Sequence, residues 1–145
     1  MRILPPTSQL EARFLIDRLS GELAARYGLT DDGSGDYEAA QEDSDRSVFI
    51  VGWLGNSPVA CGAIRPLTDD VAELKRMFVL PEHRDKRLAP RILQRLELEA
   101  NRLGYCTIRL ETGDRQPEAI ALYQKSGYRQ IPPFGKYVSS EKSLL

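Results

Sequence analysis

Four cationic side chains crowd the turn that precedes an amphipathic helical pattern. Within eight residues stand Arg84, Lys86, Arg87 and Arg91. Backbone N–H groups at a helix start have no intrahelical partner, and the helix dipole is positive there. This arrangement favours binding of a phosphate or pyrophosphate group, and Pro90 suits the first turn because it lacks an N–H. Basic runs are also common on solvated loops, so the turn alone leaves both interpretations open.

Few other residues could carry metal or nucleophilic chemistry. His83 is the single histidine, and Cys61 and Cys106 stand far from it and from each other in the sequence. This spacing predicts no metal site. No nucleophile elbow for a Ser-His-acid triad and no glycine-rich nucleotide motif is present. The cysteines lie in apolar, strand-like segments and are too few for a disulfide framework, which favours a reducing, cytoplasmic setting.

The composition is ordinary for a soluble globular protein. The chain has 145 residues and a net charge of −1. Its length predicts a single domain over residues 1–145. Because the net charge is nearly neutral, we expect no nucleic-acid or membrane partner, and any phosphate binding must be local. No apolar run approaches the ~20 residues of a membrane span, and the N-terminus lacks the apolar core of a signal peptide.

Hydrophobic periodicity predicts alternating strands and helices. A capping box of Ser8 and Glu11 opens a first helix that stops at Gly28, and an acidic loop follows from Thr30 to Asp45. Two further helices are predicted from Pro90 to Leu103 and from Pro117 to Ser126. Strands are predicted at 1–4, 48–54, 59–64, 71–79, 106–112, 128–131 and 137–138. This order predicts an α/β fold of the α+β kind, with a central mixed sheet flanked by helices.

Several motifs in order resemble one known family. The segment AELKRMFVLPEHR reads as a strand leading into the basic turn, and LET followed by PEAIALYQKSGY reads as the next strand and helix. From about Val48 to Gly135 this sequence is similar to the GCN5-related N-acetyltransferase (GNAT) family, and to its small, single-domain bacterial branch. No single motif is diagnostic, but their order and spacing together are fairly specific. The resemblance implies the acyl-CoA N-acyltransferase fold.

The resemblance also implies how acetyl-CoA would be held as a co-substrate, without a metal. The family's phosphate motif, Arg/Gln-x-x-Gly-x-Gly/Ala, falls on Arg84, Asp85, Lys86, Arg87, Leu88 and Ala89. Arg87 occupies the usual glycine slot, where a positive φ would cost a non-glycine residue about 1–2 kcal/mol. Backbone groups of Met77, Phe78 and Val79 would pair with the pantetheine arm, as an added strand does. Gln116 and Pro117 stand where many relatives have an asparagine that contacts CoA.

Two residues would carry the chemistry. The resemblance puts Tyr123 beside the CoA sulfur, where its phenol would protonate the leaving thiolate; the alternative is an aromatic ring packed on the sheet. It puts Glu73 where some relatives carry a general base for the acceptor amine. The alternative is an ordinary strand carboxylate paired with Lys75, Arg76 or Arg109.

The implied reaction is direct attack of a primary amine, from a small molecule or a peptide, on acetyl-CoA in a ternary complex. The acidic loop could attract a cationic amine, although such runs are more often solvated. The acceptor pocket could use Trp53, Tyr27, Phe134 and Tyr137, with Trp53 more typical of a core. A non-catalytic CoA-binding or protein-interaction module is the alternative function, and the sequence leaves a homodimer open.

Overall fold

The computed structural model describes residues 1–5, 9–27, 45–113, 116–134 and 137–145, without the side chains at 9, 11, 12, 23, 24, 26, 27, 133, 134, 137 and 138. The strands are β1 Arg2–Leu4, β2 Val48–Leu54, β3 Ser57–Pro66, β4 Val71–Val79, β5 Thr107–Gly113, β6 Arg129–Phe134 and β7 Tyr137–Ser143. The helices are α1 Gln9–Tyr27, a 3-10 helix Pro81–Lys86, α2 Leu88–Arg102 and α3 Pro117–Lys125.

The strands form one sheet that contains a parallel pair at its centre. Its order is β1-β2-β3-β4-β5-β7-β6, and all seven strands belong to it. Only β4 and β5 pair in parallel; the other neighbouring strands are antiparallel. The carboxyl ends of β4 and β5 therefore meet at the same edge of the sheet, so α2 and α3 both begin there. The predicted mixed sheet with flanking helices is confirmed.

Helices α1 and α2 cover opposite faces of the sheet. A Cβ added to Gly62 on β3 would meet Ile92 and Leu96 of α2, so this residue faces α2. The next residue along β3 pairs with Phe49 on β2, and Phe49 packs against Ile16 of α1. Since side chains alternate between the two faces of a strand, α1 and α2 lie on opposite sides.

The side of α2 that faces the sheet supplies a large part of the core. Its buried residues are Leu88, Ile92, Leu93, Leu96 and Ala100. Full burial of a leucine or isoleucine contributes about 1.5–3 kcal/mol, so this face anchors the helix firmly. The anchor begins with Leu88 at the first helical position, and the turn before α2 is thereby fixed at one end.

Several predicted boundaries differ from the structure. Helix α2 begins at Leu88, two residues before the predicted start, which leaves Pro90 within its first turn. The short 137–138 strand is in fact the start of β7, and β7 inserts between β5 and β6. No sequence pattern marks the 3-10 helix. The capping residue Ser8, the stop at Gly28 and residues 30–44 of the acidic loop lie outside the described residues.

Candidate functional site

A gap opens in the middle of the sheet where β4 and β5 separate. The two strands pair only from Val71 to Glu73 on β4, and Glu73 pairs with Arg109 as the last matched position. Beyond it β4 continues to Val79 and β5 to Gly113, each paired on its outer side only. Among the described residues, one edge of β4 from 74 to 79 therefore has no strand partner. Its inward N–H and C=O groups can pair with an extended ligand.

A β-bulge shapes β4 along this open edge. The register with β3 shifts by one residue between Lys75 and Phe78, so two β4 residues, Arg76 and Met77, stand opposite Gly62. Arg76 has φ 62°, and the thiol of Cys61 donates to its carbonyl oxygen at 3.1 Å. A left-handed non-glycine residue costs about 1–2 kcal/mol, and such strain collects at functional sites. Nothing in the sequence marks this bulge, because arginine carries no signal for positive φ.

The start of α2 lies at the same edge of the sheet as the gap. Arg87 has φ 58° and ψ 36°, the left-handed conformation that was considered for the glycine slot. No side chain caps the first turn of α2, and that turn contains no acidic residue. The preceding 3-10 helix ends in basic residues, His83, Arg84 and Lys86. Uncapped N–H groups and nearby cations make this turn suited to an anion.

The other residues of the predicted phosphate motif divide between surface and core. Asp85, Lys86 and Arg87 are exposed, whereas Leu88 is buried and Ala89 is partly buried. The ammonium nitrogen of Lys86 lies 3.0 Å from Nδ1 of His83. The exposed members can offer side chains and backbone to a ligand, while Leu88 anchors the turn in the core.

Arg84 is bound within the protein. Its Nη1 and Nη2 donate to the two carboxylate oxygens of Glu22 on α1 at 2.7 and 2.6 Å. Its Nε donates to the carbonyl oxygen of Val79 at 2.9 Å, and its guanidinium carbon lies 5.4 Å from the ring centre of Phe78. The hydrogen bond with Glu22 is the largest cause that raises the pKa of Arg84. The sequence analysis missed Glu22, which no local motif marks.

The first turn of α3 lies near Arg84, in the segment that precedes α2. The carboxylate of Glu118 is near enough to Arg84 to contribute to the raised pKa of that guanidinium. Gln116 is the N-cap residue of α3 and makes no side-chain capping bond. Its backbone carbonyl accepts from the N–H groups of Ala119 and Ile120 at 3.1 Å. The amide side chain of Gln116 is thus not used to cap the helix.

Tyr123 lies about two helical turns beyond Gln116 along α3. It is buried, and burial raises the pKa of its phenol above the ordinary value. Its ring meets that of Tyr128 edge to face, with centroids 5.7 Å apart. Tyr128 in turn donates to Glu97 of α2 at 2.9 Å. Tyr123 has no hydrogen-bond partner for its hydroxyl among the described residues, so its orientation depends on this packing.

Glu73 belongs to a row of charges that crosses the sheet. It accepts from Nε of Arg65 at 2.8 Å, and Lys75 lies 3.7 Å away. The row continues in register across β5, β7 and β6 with Arg109, Glu141 and Arg129. Arg109 and Glu141 form an ion pair at 3.2 Å. Of the partners expected for Glu73, Lys75 is confirmed by contact and Arg65 is an additional one. The side chain of Glu73 is therefore held by ion pairs at the position where the gap begins.

A cavity of about 310 Å³ lies between α1 and the end of β4. Its lining residues are Asp17, Arg18, Gly21, Glu22, Phe78 and Pro81. Trp53, the one candidate for the acceptor pocket whose side chain is described, is buried in the core. The side chains of Tyr27, Phe134 and Tyr137 lie outside the described residues.

Two further features of the described residues concern metal binding and membrane crossing. No group of three or more His, Cys, Asp or Glu side chains there could hold a metal ion. In the same part of the chain, none of the helices has the length and apolar character that crossing a membrane requires.

Comparison with known proteins identifies the family. The model of the acetyltransferase (GNAT) family matches residues 13–128. An IAA acetyltransferase from Azospirillum brasilense is 41% identical over 98 residues, which cover 67% of this chain and 64% of that relative. The match thus spans less than two thirds of the relative's length.

Solved structures share the fold at low sequence identity. A GNAT acetyltransferase from Staphylococcus aureus has a TM-score of 0.84 at 17% identity and covers 99% of both chains. The PaiA N-acetyltransferase from Thermoplasma acidophilum, solved in complex with coenzyme A, has a TM-score of 0.78 at 16% identity and covers 98% of both chains. The split sheet, the uncapped helix start and the match to the family model agree: this chain belongs to the acetyltransferase (GNAT) family.

Proposed function

We propose that the chain is a single-domain N-acetyltransferase that moves an acetyl group from acetyl-CoA to a primary amine of a small molecule or peptide. The amine would attack directly while both substrates are bound. The observation that carries this proposal is the gap that opens beyond Glu73 and Arg109, at the same edge as the uncapped start of α2. The coenzyme A complex of the Thermoplasma relative supports the choice of co-substrate.

The residues at the gap fit acetyl-CoA, which supplies the acetyl thioester when bound. Backbone groups of Met77, Phe78 and Val79 line the open edge of β4 and can pair with the amides of the pantetheine arm. An N–H at this edge can also donate to the thioester carbonyl oxygen, where negative charge develops. The first-turn N–H groups of α2, with Leu88 and Ala89, can bind the pyrophosphate.

Cations around the turn add to this binding. Lys86 and Arg87 are exposed beside the start of α2, and each can donate charge-assisted hydrogen bonds to phosphate oxygens. Arg84 has two outer N–H groups that its bonds to Glu22 and Val79 do not use. Asp85 contributes backbone to the turn, and Gln116, with an uncommitted amide at the start of α3, is proposed as a further contact.

We propose that Tyr123 stabilises the leaving thiolate. A phenol with an ordinary pKa near ~10 would lose about 2 kcal/mol on giving its proton to a thiolate of pKa near ~8.5. Because burial raises the pKa of Tyr123 further, full proton transfer becomes less favourable. Tyr123 therefore acts mainly as a hydrogen-bond donor that stays protonated at all physiological pH values.

Glu73 is proposed to receive the proton of the amine. Alkyl ammonium groups have a pKa near ~10.4, so at neutral pH almost every acceptor must lose a proton before it attacks. Carboxylates in general are weak bases towards an ammonium group, which favours transfer of the proton through a water molecule to bulk solvent.

Thiol release from acetyl-CoA tests the proposal. The purified chain is incubated with acetyl-CoA and a panel of small amines and peptides, and free thiol is measured over time. Turnover that depends on both substrates is expected. Binding of acetyl-CoA without turnover across the panel would favour a non-catalytic CoA-binding module. No binding at all would overturn both of these and favour a protein-interaction module. A cytoplasmic setting is part of the proposal and is supported by the free thiols of Cys61 and Cys106.

A further inference from the structure

One ion pair joins the turn before α2 to the opposite layer of the fold. Arg84 belongs to the 3-10 helix, and Glu22 belongs to α1, 62 positions earlier in the chain. Both guanidinium ends and both carboxylate oxygens take part, at 2.7 and 2.6 Å. Two parallel charge-assisted bonds fix orientation as well as distance, which a single ion pair does not do.

Apart from the buried Leu88 at its end, little else holds the turn in place. None of the residues of the 3-10 helix, Pro81–Lys86, is buried, so packing does not fix the segment. Its hydrogen bonds are of the poorer 3-10 type. It leads directly into Arg87, whose left-handed conformation is unfavourable for arginine. An unpacked segment that ends in a strained residue needs an outside contact to keep a single shape.

Arg84 supplies that contact in three directions. Its Nε binds the last carbonyl of β4, its guanidinium lies over Phe78, and its outer nitrogens bind Glu22. Arg84 thereby ties the turn to β4 and to α1 together. Glu22 and Phe78 also line the cavity beneath α1, so one contact links the turn with that cavity.

We propose that Glu22 is a positioning residue for the co-substrate: through Arg84 it holds the turn between β4 and α2 in the shape that binds the pyrophosphate. This inference rests on the proposed function. The competing arrangement is that Arg84 must leave Glu22 in order to bind phosphate, in which case Glu22 opposes binding. The two arrangements predict effects of opposite sign on the affinity for acetyl-CoA.

The test is the variant Glu22→Gln, which keeps the size of the side chain and removes its charge. We expect the Kd for acetyl-CoA to rise about 3- to 10-fold, with kcat at saturating acetyl-CoA within about twofold of wild type. The matched control is Glu99→Gln on α2, which removes a carboxylate that pairs with Arg95 and Arg102 far from the turn. Its Kd should stay at the wild-type value.

A truncated co-substrate separates positioning from general damage. S-acetylpantetheine has the thioester arm but no nucleotide diphosphate, so Glu22→Gln should lose no kcat/KM with it. An equal loss with both thioesters, an unchanged Kd, or tighter binding of acetyl-CoA would each overturn the inference. If the wild-type chain itself does not bind acetyl-CoA, the proposed function fails first, and that result is recognised before any variant is compared.

Discussion

The two ends of β4 differ in how their backbone and charges are satisfied. At the first end, Val71 to Glu73 pair with β5 on one side, Ala72 and Glu73 also pair with β3 on the other, and an ion pair joins Arg65 to Glu73 across the sheet. At the far end, from 74 to 79, β4 pairs with β3 alone, contains a bulge at Arg76 and runs into a turn with a second left-handed arginine.

The difference separates scaffold from site along a single strand. At the paired end the backbone has strands on both sides, so its N–H and C=O groups have little capacity left for a ligand. The open end carries backbone strain, one unmatched edge and an uncapped helix start nearby. Backbone strain and unpaired backbone groups persist only where the surrounding structure keeps them in place. Here the paired end of β4 and the core under α2 do so.

Removing the hydroxyl of Tyr123 should have the largest effect. Tyr123→Phe keeps the ring against Tyr128 and deletes the donor proposed for the thiolate. Loss of a hydrogen bond to a charged group predicts a fall in kcat of about 10- to 100-fold. Since the raised pKa keeps Tyr123 protonated, the loss should be the same from about pH 6 to about pH 9.

The control for that variant is Tyr105→Phe. Tyr105 is a buried tyrosine whose hydroxyl donates to the carbonyl oxygen of Arg46 at 2.8 Å. It should lose stability without losing kcat. Equal rates for Tyr123→Phe and the wild type would remove Tyr123 from the chemistry.

Neutralising the carboxylate of Glu73, where the paired end of β4 meets the open end, should have the next largest effect. Glu73→Gln is expected to lower kcat about 10-fold at neutral pH. The loss should shrink as the pH approaches the ~10.4 of an alkyl amine, because the acceptor then loses its proton unaided.

Glu141→Gln is the matched control, since Glu141 lies in the same row of charges but on β7, away from the gap. Similar pH profiles for the two variants would show that breaking the row, and not the proton path, causes the loss.

Adding a side chain at Gly62, which stands opposite the bulge in β4, should lower stability because the site is closely packed. A Cβ at position 62 would stand 2.7 Å from Cδ1 of Leu96 and 2.8 Å from Sδ of Met77. Overpacking of this kind predicts that Gly62→Ala lowers the free energy of unfolding by about 1–2 kcal/mol in urea titrations.

The contrasting variant is Gly21→Ala in α1, where an added Cβ has no atom within 4 Å. It should raise the free energy of unfolding by about 0.5–1 kcal/mol, because alanine favours a helix. The same sign for both variants would contradict the close packing at Gly62.

Relieving strain at the turn should give the smallest change. Arg87→Gly should raise the free energy of unfolding by about 1 kcal/mol, since glycine adopts φ 58° without a steric cost. Arg87→Ala removes the same charge but keeps the penalty, so it should not gain. If thermal unfolding finds both variants equally stable, the conformation at position 87 is not strained.

Much of this architecture could be predicted from the sequence. Alternating apolar residues marked β5, helical periodicity marked α2, and the family resemblance raised a left-handed conformation at Arg87 as one possibility, which the structure has. The contacts that could not be predicted join residues that are distant in the sequence. The pair of Glu22 and Arg84, and the pairing of Arg65 with Glu73, follow from the register and from helix docking, which a local pattern does not encode.

The bulge in β4 and most of the last strand could not be predicted for a different reason. Arginine at position 76 is no marker of positive φ, so its conformation is imposed by the fold. The polar sequence of β7, YVSSEKS, has little β-pattern of its own; it forms a strand because β5 and β6 pair with it on both sides.

Amide hydrogen exchange with and without acetyl-CoA tests the contrast between the two ends most directly. The account predicts slower exchange on binding at residues 77–79 and 86–89, and unchanged exchange at residues 71–73. Protection that is absent from the open end, or that appears equally at the paired end, would contradict it.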